Sequence, residues 1–163
     1  MQGEAEAGLA QIQQGLTATQ AVGPTPYSAY FLTLLAEAYG QVGQPETGLR
    51  VLAEAATLMA TTDGRLWEAE RYRLQGELLL HLSHPDVPQA EACFHQALAV
   101  ARAQQARALE LRAAISLSRL WRQQRQLDAA CQLLTPIYRW FTEGFATPDL
   151  HEAKVLCEVL ARG

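Results

Sequence analysis

The sequence predicts an all-α fold built from stacked pairs of antiparallel helices, and three observations favour it. Aromatic residues make up only 7% of the chain, and its Ala-, Leu- and Gln-rich texture is typical of closely packed helices rather than of sheet. Apolar residues recur at helical spacing along most of the chain. A small residue is followed after four positions by a large apolar one and three positions later by a small or apolar one, four times over: Gly8/Ile12/Gly15, Gly48/Leu52/Ala55, Ala90/Phe94/Ala97 and Ala130/Leu134/Ile137. The four starts are 40, 42 and 40 residues apart, and such a period indicates stacked units that are each too small to bury their own hydrophobic face.

The first element is a single helix within residues 1–22. Leu9, Ile12 and Leu16 recur at helical spacing, and the breaker sequence Gly23-Pro24-Thr25-Pro26 ends the helix. By its small/large/small pattern it is the second helix of a pair whose first helix is missing. We therefore expect the chain to be cut from a longer protein.

Three complete helix pairs follow, at 27–61, 65–104 and 106–145. Gly43-Gln44-Pro45 divides the first pair and Arg125-Gln126 the third, whereas the second is divided by the longer interruption 83–88, which accounts for the 42-residue spacing. Pro136 removes one backbone donor from the last helix of the third pair, which it should bend or weaken. Thr147-Pro148-Asp149 then begins a capping helix at 147–161, so that about eight helices form one domain over 1–163.

Within each pair the first helix also repeats. A small residue precedes a large one by three positions at Ala36/Tyr39, Gly76/Leu79 and Ser118/Trp121, and the small residue allows two helices to approach closely. This combination resembles the tetratricopeptide repeat, although the period of about 40 exceeds the usual 34. The resemblance implies a right-handed superhelical array, an α-solenoid, over nearly the whole chain.

The last thirty or so residues carry a second resemblance. The run 133–145, followed by Thr147-Pro148-Asp149-Leu150 and Glu152-Ala153-Lys154, is similar to the extreme C-terminus of large bacterial proteins. Those proteins join a predicted STAND-type ATPase, often with a nucleotide cyclase or winged-helix domain, to a tetratricopeptide tail. The resemblance brings no catalytic motif into this segment.

Signals for chemistry are few. Gly43 and Gly48 are not followed by the Lys-Ser/Thr pair of a phosphate-binding loop, and no ordered nucleophile arrangement stands out, so we expect neither an enzyme nor a cofactor. His81, His84, Glu91 and His95 would need to converge to bind a metal, and we interpret them as solvated surface residues. Cys93, Cys131 and Cys157 are interpreted as reduced, buried thiols.

Charge and hydropathy limit the partners. The formal net charge of −4 gives no reason to expect nucleic acid. No apolar stretch reaches 18 residues, and the acidic N-terminus lacks a signal-peptide pattern, so we expect a cytoplasmic protein without a membrane partner.

The tetratricopeptide resemblance places the first helices along a concave binding face. Transferred onto this chain, the partner-binding positions include Glu37, Gln41, Arg73, Glu77, Arg112, Arg119 and Arg122, with Tyr30, Thr33, Glu70, His81 and Ile115 beside them. A groove acidic at one end and basic at the other would orient a peptide, with the arginines binding a carboxylate or phosphorylated side chain. The alternative is that these charges pair with one another across adjacent helices. The spacing of Glu70 from Glu68 separately predicts that both carboxylates are solvated.

A second candidate surface is aromatic. We expect Trp140, Phe141 and Phe145 to seal the last pair against the capping helix, with Gly144 as the C-cap of the preceding helix. The alternative is an exposed docking strip.

Together, the resemblances imply a non-enzymatic protein–protein interaction or regulatory scaffold module. It would be the C-terminal segment of a multidomain bacterial signalling ATPase or transcription regulator, and its partner a protein, a peptide or another domain of the same polypeptide. An intramolecular structural arm and a small-molecule sensor remain alternatives, and the open N-terminal end could pair two chains as a homodimer.

Overall fold

The described part of the chain is all helical. The computed structural model describes residues 2–20, 23, 26–62 and 64–162, and no strand occurs among them. They form eight α-helices and one 3₁₀ turn, in agreement with the predicted fold class: α1 (Gln2–Gln20), α2 (Pro26–Gln41), α3 (Pro45–Thr61), the 3₁₀ turn Gly64–Trp67, α4 (Glu68–Leu80), α5 (Val87–Ala103), α6 (Arg107–Gln123), α7 (Leu127–Arg139) and α8 (Pro148–Leu160).

The helices pack as consecutive pairs. The most extensive contacts join α2 with α3 and α4 with α5, followed by α6 with α7, and the short connections between the members make each pair antiparallel. Contacts also join α2 to α4, α4 to α6 and α6 to α8. These four helices therefore form one layer, which we call the first-helix layer.

The small residues of the repeated pattern allow the close approach that the sequence predicts. A Cβ added at Gly48 would lie 2.9 Å from the Ala36 carbonyl oxygen across the first pair, and one added at Gly76 would lie 2.5 Å from the Phe94 ring across the second. The large residues Leu52, Phe94 and Leu134 are among the most completely buried side chains. In α1 the pattern is open instead, because an added Cβ at Gly8 or Gly15 would meet no atom within 4 Å.

Three tight turns share one geometry. The backbone N–H of Gln44 donates to Tyr39 O (2.9 Å), that of Ala106 to Ala101 O (2.9 Å) and that of Gln126 to Trp121 O (2.8 Å). The residue before each donor has a positive φ: 74° at Gly43, 54° at Gln105 and 62° at Arg125. This six-to-one bond with a left-handed residue is the Schellman motif, and two of the three turns use it without glycine. The predicted break at 23–26 lies mostly outside the described residues.

The C-terminal end differs from the predicted arrangement. Helix α7 ends at Arg139, so Gly144 is not its C-cap, contrary to the prediction; Gly144, with φ 78°, accepts a hydrogen bond from Thr147 N–H in a separate turn. Phe141 packs against the core, as predicted. Trp140 and Phe145 remain 57% and 49% exposed, so the sealing prediction is wrong for these two rings.

The three cysteines are free thiols. Cys93 is buried as predicted, whereas Cys131 and Cys157 are only half-buried, on either side of the Thr135 hydroxyl. Burial raises the pKa of the Cys93 and Cys157 thiols. No described helix combines the length and the apolar character that crossing a membrane requires.

Candidate binding groove on the first-helix layer

A connected row of charged side chains crosses the first-helix layer, and we call it the charge ladder. Spacings of three, four and seven residues place its members on one face of each helix. The ladder consists of Glu37 on α2, Glu70, Arg73 and Glu77 on α4, Arg112 and Arg119 on α6, and Asp149 and Glu152 on α8.

Arg73 lies at the centre of the ladder. Its side chain is only 9% exposed, and its guanidinium binds Glu70 through two hydrogen bonds, Nε to Oε2 at 3.0 Å and Nη2 to Oε1 at 2.7 Å. Glu77 and Glu37 lie farther away, at 3.6 and 3.9 Å. Burial acts to lower the pKa of Arg73, but the hydrogen bonds that Arg73 donates to Glu70 and the charges of the three carboxylates outweigh burial, and the pKa is raised. Arg73 therefore stays cationic in a site that would otherwise oppose its charge.

Cross-helix pairs extend the ladder. Arg112 Nη1 lies 2.8 Å from Glu70 Oε1, which makes Glu70 a shared acceptor for two guanidiniums from different helices. Glu70 is therefore 7% exposed, and the prediction that it is solvated is wrong. The prediction used only the spacing of residues along α4, and this spacing does not show that Arg112 of the neighbouring helix α6 contacts Glu70.

The outer part of the ladder is more open to solvent. Arg119 pairs with Glu152 of α8 and lies 3.9 Å from Glu77, and its side chain is 47% exposed. The Ser116 hydroxyl donates to Glu77 Oε1 at 2.6 Å, so this carboxylate contacts both Ser116 and Arg119. Exposed ion pairs of this kind contribute little to stability.

Two adjoining cavities lie along the ladder, with Glu37, Arg73 and Arg119 in the wall of both. The larger, of about 220 Å³, is also lined by Gly40, Gln41, Leu74, Glu77, Leu78 and His81. The smaller, of about 100 Å³, is also lined by Arg112, Ile115, Ser116, Asp149 and Glu152. We call them the ladder cavities.

The ladder cavities bring together six of the seven predicted partner-binding residues: Glu37, Gln41, Arg73, Glu77, Arg112 and Arg119. Arg122 is exposed and lines neither, and within the described ranges it has no ion pair. Thr33 does not face the groove either, since it is 2% exposed and donates to Ala29 O, and Tyr30 stacks on Trp67.

The predicted separation of charge along the groove is wrong. Arg73 lies among the carboxylates of Glu37, Glu70 and Glu77, so the acidic end is largely neutralised. The ion pairs agree with the alternative in which the charges pair across adjacent helices. Asp149 and Glu152 are not among the predicted partner-binding residues, because the repeat pattern assigns α8 only a capping role.

A second ion-pair network joins α5 to α6 away from the ladder. Glu110, 3% exposed, accepts from Arg102 Nε and from Arg107 Nη1, each at 2.7 Å. Burial acts to raise the pKa of this carboxyl, but the two arginine hydrogen bonds and charges outweigh it and the pKa is lowered.

A metal site at the predicted surface histidines would require several acidic or thiol side chains to converge on them. Over the described residues, no group of three or more His, Cys, Asp or Glu side chains is placed to hold a metal ion. His95 instead stacks on Trp121, whose indole Nε1–H donates to Glu91 at 2.7 Å.

No protein-family model matches this chain, and no curated protein matches it. The tetratricopeptide resemblance is therefore a prediction that rests on the residues and spacings themselves.

Proposed function

We propose that this chain is a non-enzymatic binding module of the tetratricopeptide type, in which the ladder cavities receive a segment of a protein partner. The observation that carries the proposal is the row of two adjoining cavities, about 220 and 100 Å³, along a single layer of helices. Their charged walls are already fixed by hydrogen bonds such as Ser116 to Glu77. A site fixed before binding loses less side-chain entropy when its partner arrives.

The outer edge of the ladder suggests what the partner presents. Arg119 and Arg122 are three residues apart on α6, so their side chains lie on one face of the helix. Both are exposed, and Arg119 is paired mainly with the half-exposed Glu152. An acidic or phosphorylated side chain of the partner takes the place of Glu152 and gains a second contact from Arg122.

The module serves, in this proposal, as the C-terminal segment of a cytoplasmic multidomain bacterial regulator. The partner is then either a separate protein or another domain of the same polypeptide. Helix α1 supports the second possibility, an intramolecular arm. Gly8 and Gly15 of α1 have open space around them, whereas the matching positions of the repeat are closely packed in the pairs of α2 with α3 and of α4 with α5. Another helix of the same polypeptide, or of a second copy, would fit there.

A peptide-binding experiment tests the groove. The purified chain is incubated with an array of nine-residue peptides, each synthesised with serine, phosphoserine or glutamate at the centre. We expect a subset of acidic peptides to bind, and the double variant R119E/R122E to weaken their binding by about tenfold or more, the value of one charge-assisted hydrogen bond.

The matched control is R50E/R125E, which makes the same charge change at two exposed arginines outside the ladder cavities. It should bind the peptides as the wild type does. Loss of folding in R119E/R122E, measured by circular dichroism, would show that these arginines are structural. Equal loss of binding in both double variants would show that only the overall charge matters.

A further inference from the structure

We infer a second binding site, for a small organic anion, on the other side of α4 from the charge ladder. A cavity of about 330 Å³ lies there between α3, the 3₁₀ turn and α4, lined by Ala56, Met59, Ala60, Arg65, Glu68, Arg71 and Tyr72. Residues 71 and 73 are two apart on a helix and so project about 200° apart, which separates this cavity from the ladder. We call it the Arg71 cavity.

Arg71 is a buried cation without a counter-ion among the residues that the structure describes. Its relative exposure is 8%, and its guanidinium carbon lies 3.9 Å from the centre of the Tyr72 ring. One hydrogen bond is found, from Nη1 to Gln75 Oε1 at 3.0 Å, which leaves most of the five guanidinium N–H donors unused. No carboxylate of the described residues lies within 4 Å of it, whereas the equally buried Arg73 has three.

A buried guanidinium without a counter-charge is costly to keep. An anion bound in the cavity removes that cost, because it supplies both the opposite charge and the missing hydrogen-bond acceptors. The planar fork of arginine suits the paired oxygens of a carboxylate or a phosphate group.

The rest of the lining defines the ligand further. The lining carries two positive side chains, Arg65 and Arg71, and one negative side chain, Glu68, so its net charge is +1. The whole chain, by contrast, has a formal net charge of −4. The α3 wall is apolar, formed by Ala56, Met59 and Ala60. The ligand is therefore a carboxylate or phosphate that carries a small apolar body.

Titration with sodium benzoate, sodium acetate and inorganic phosphate at constant ionic strength tests the site. Binding is followed by NMR through the Arg71 Nε–Hε signal and the backbone amides of Met59 and Tyr72. We expect a saturable shift with benzoate, weaker binding of acetate, which lacks the apolar ring, and a shift with phosphate if the head group is a phosphate. No saturable shift with either benzoate or phosphate would overturn the inference.

Two acidic positions supply a matched pair of variants. Glu68 has no ion pair within the part of the chain that the structure describes, so E68Q should fold normally and bind benzoate about fivefold more tightly once a like charge has been removed. Glu46 is exposed on α3 and lies outside the cavity, so E46Q should leave the affinity unchanged. Equal affinities in E68Q and E46Q would overturn the inference.

Variants of the arginine complete the test. R71Q should abolish the benzoate shift, and R71K, which keeps the charge but loses the planar fork, should weaken it by about tenfold. Undiminished binding in R71Q would place the anion elsewhere. Because the Arg71 cavity is separate from the ladder cavities, R119E/R122E should bind benzoate as the wild type does, and the two proposals therefore succeed or fail independently.

Discussion

Replacing Gly76 by alanine tests the close packing of a helix pair directly. An added Cβ would lie 2.5, 2.8 and 2.9 Å from three atoms of the Phe94 ring. Phe94 is fully buried, so the ring has nowhere to move. Helix propensity alone would stabilise the alanine variant by about 1 kcal/mol. Overpacking costs about 1–3 kcal/mol, so after the gain in helix propensity we expect a net loss of up to about 2 kcal/mol.

The control is the same substitution where there is space. Gly15 is exposed on α1, and an added Cβ would meet no atom within 4 Å. Gly15→Ala should therefore be neutral or stabilising by up to about 1 kcal/mol. Urea denaturation followed by circular dichroism at 222 nm measures both variants, and their difference isolates the packing contribution from helix propensity.

A double variant assigns the loss to one contact. Phe94→Leu alone leaves a cavity, and in the Gly76→Ala/Phe94→Leu double variant the new methyl group fills part of it. The combined loss should be smaller than the sum of the single losses. Additive losses, or a Gly76→Ala variant as stable as Gly15→Ala, would refute the close approach of α4 and α5.

Three further changes probe the ion pairs and the C-terminal helix. Glu110→Gln should lower the free energy of unfolding at pH 7, measured by urea titration. The difference in this free energy from wild type should shrink as the pH falls below 4.5, the ordinary pKa of the carboxyl group, because a lowered pKa adds stability only while the group is ionised. A difference that does not change with pH would contradict this. Arg73→Met should cost about 3–5 kcal/mol, since it leaves Glu70 buried without its main counter-ion, and a loss below about 1 kcal/mol would show that Arg112 suffices. Deletion of residues 146–163 should expose the apolar surface covered by α8 and cause aggregation in light scattering, whereas a soluble monomeric truncation would contradict this.

The repeated spacing predicted the helix pairs well because burial of small and large residues is a local consequence of helix periodicity. Gly48 and Gly76 lie at close helix contacts as expected, and so does the ring of Phe94. The end of α7 was harder to predict. Phe141 and Phe145 look alike in the sequence, and which of them is covered depends on the path of the chain after Arg139, which no periodicity determines.

The candidate site was predictable in its members but not in its electrostatics. The positions of Glu37, Arg73 and Arg119 on the first helices follow from the repeat, and all three line the ladder cavities. Their pairing depends on the rotation and offset of neighbouring helices. The acceptors Asp149 and Glu152 come from α8, whose placement beside α6 is set by tertiary packing rather than by any sequence pattern.

Arg71 and Arg73 are the same residue type and are equally buried, yet their partners give them different roles. Both are arginines on α4 with a relative exposure of 8%. Arg73 is held by Glu70 and two further carboxylates, so its charge is compensated within the protein and its removal should mainly cost stability. Arg71 has a glutamine and an aromatic ring instead, and it lines a cavity of about 330 Å³. No carboxylate of the described ranges compensates the buried charge of Arg71, so a ligand can stabilise it, and this difference in partners distinguishes the second site.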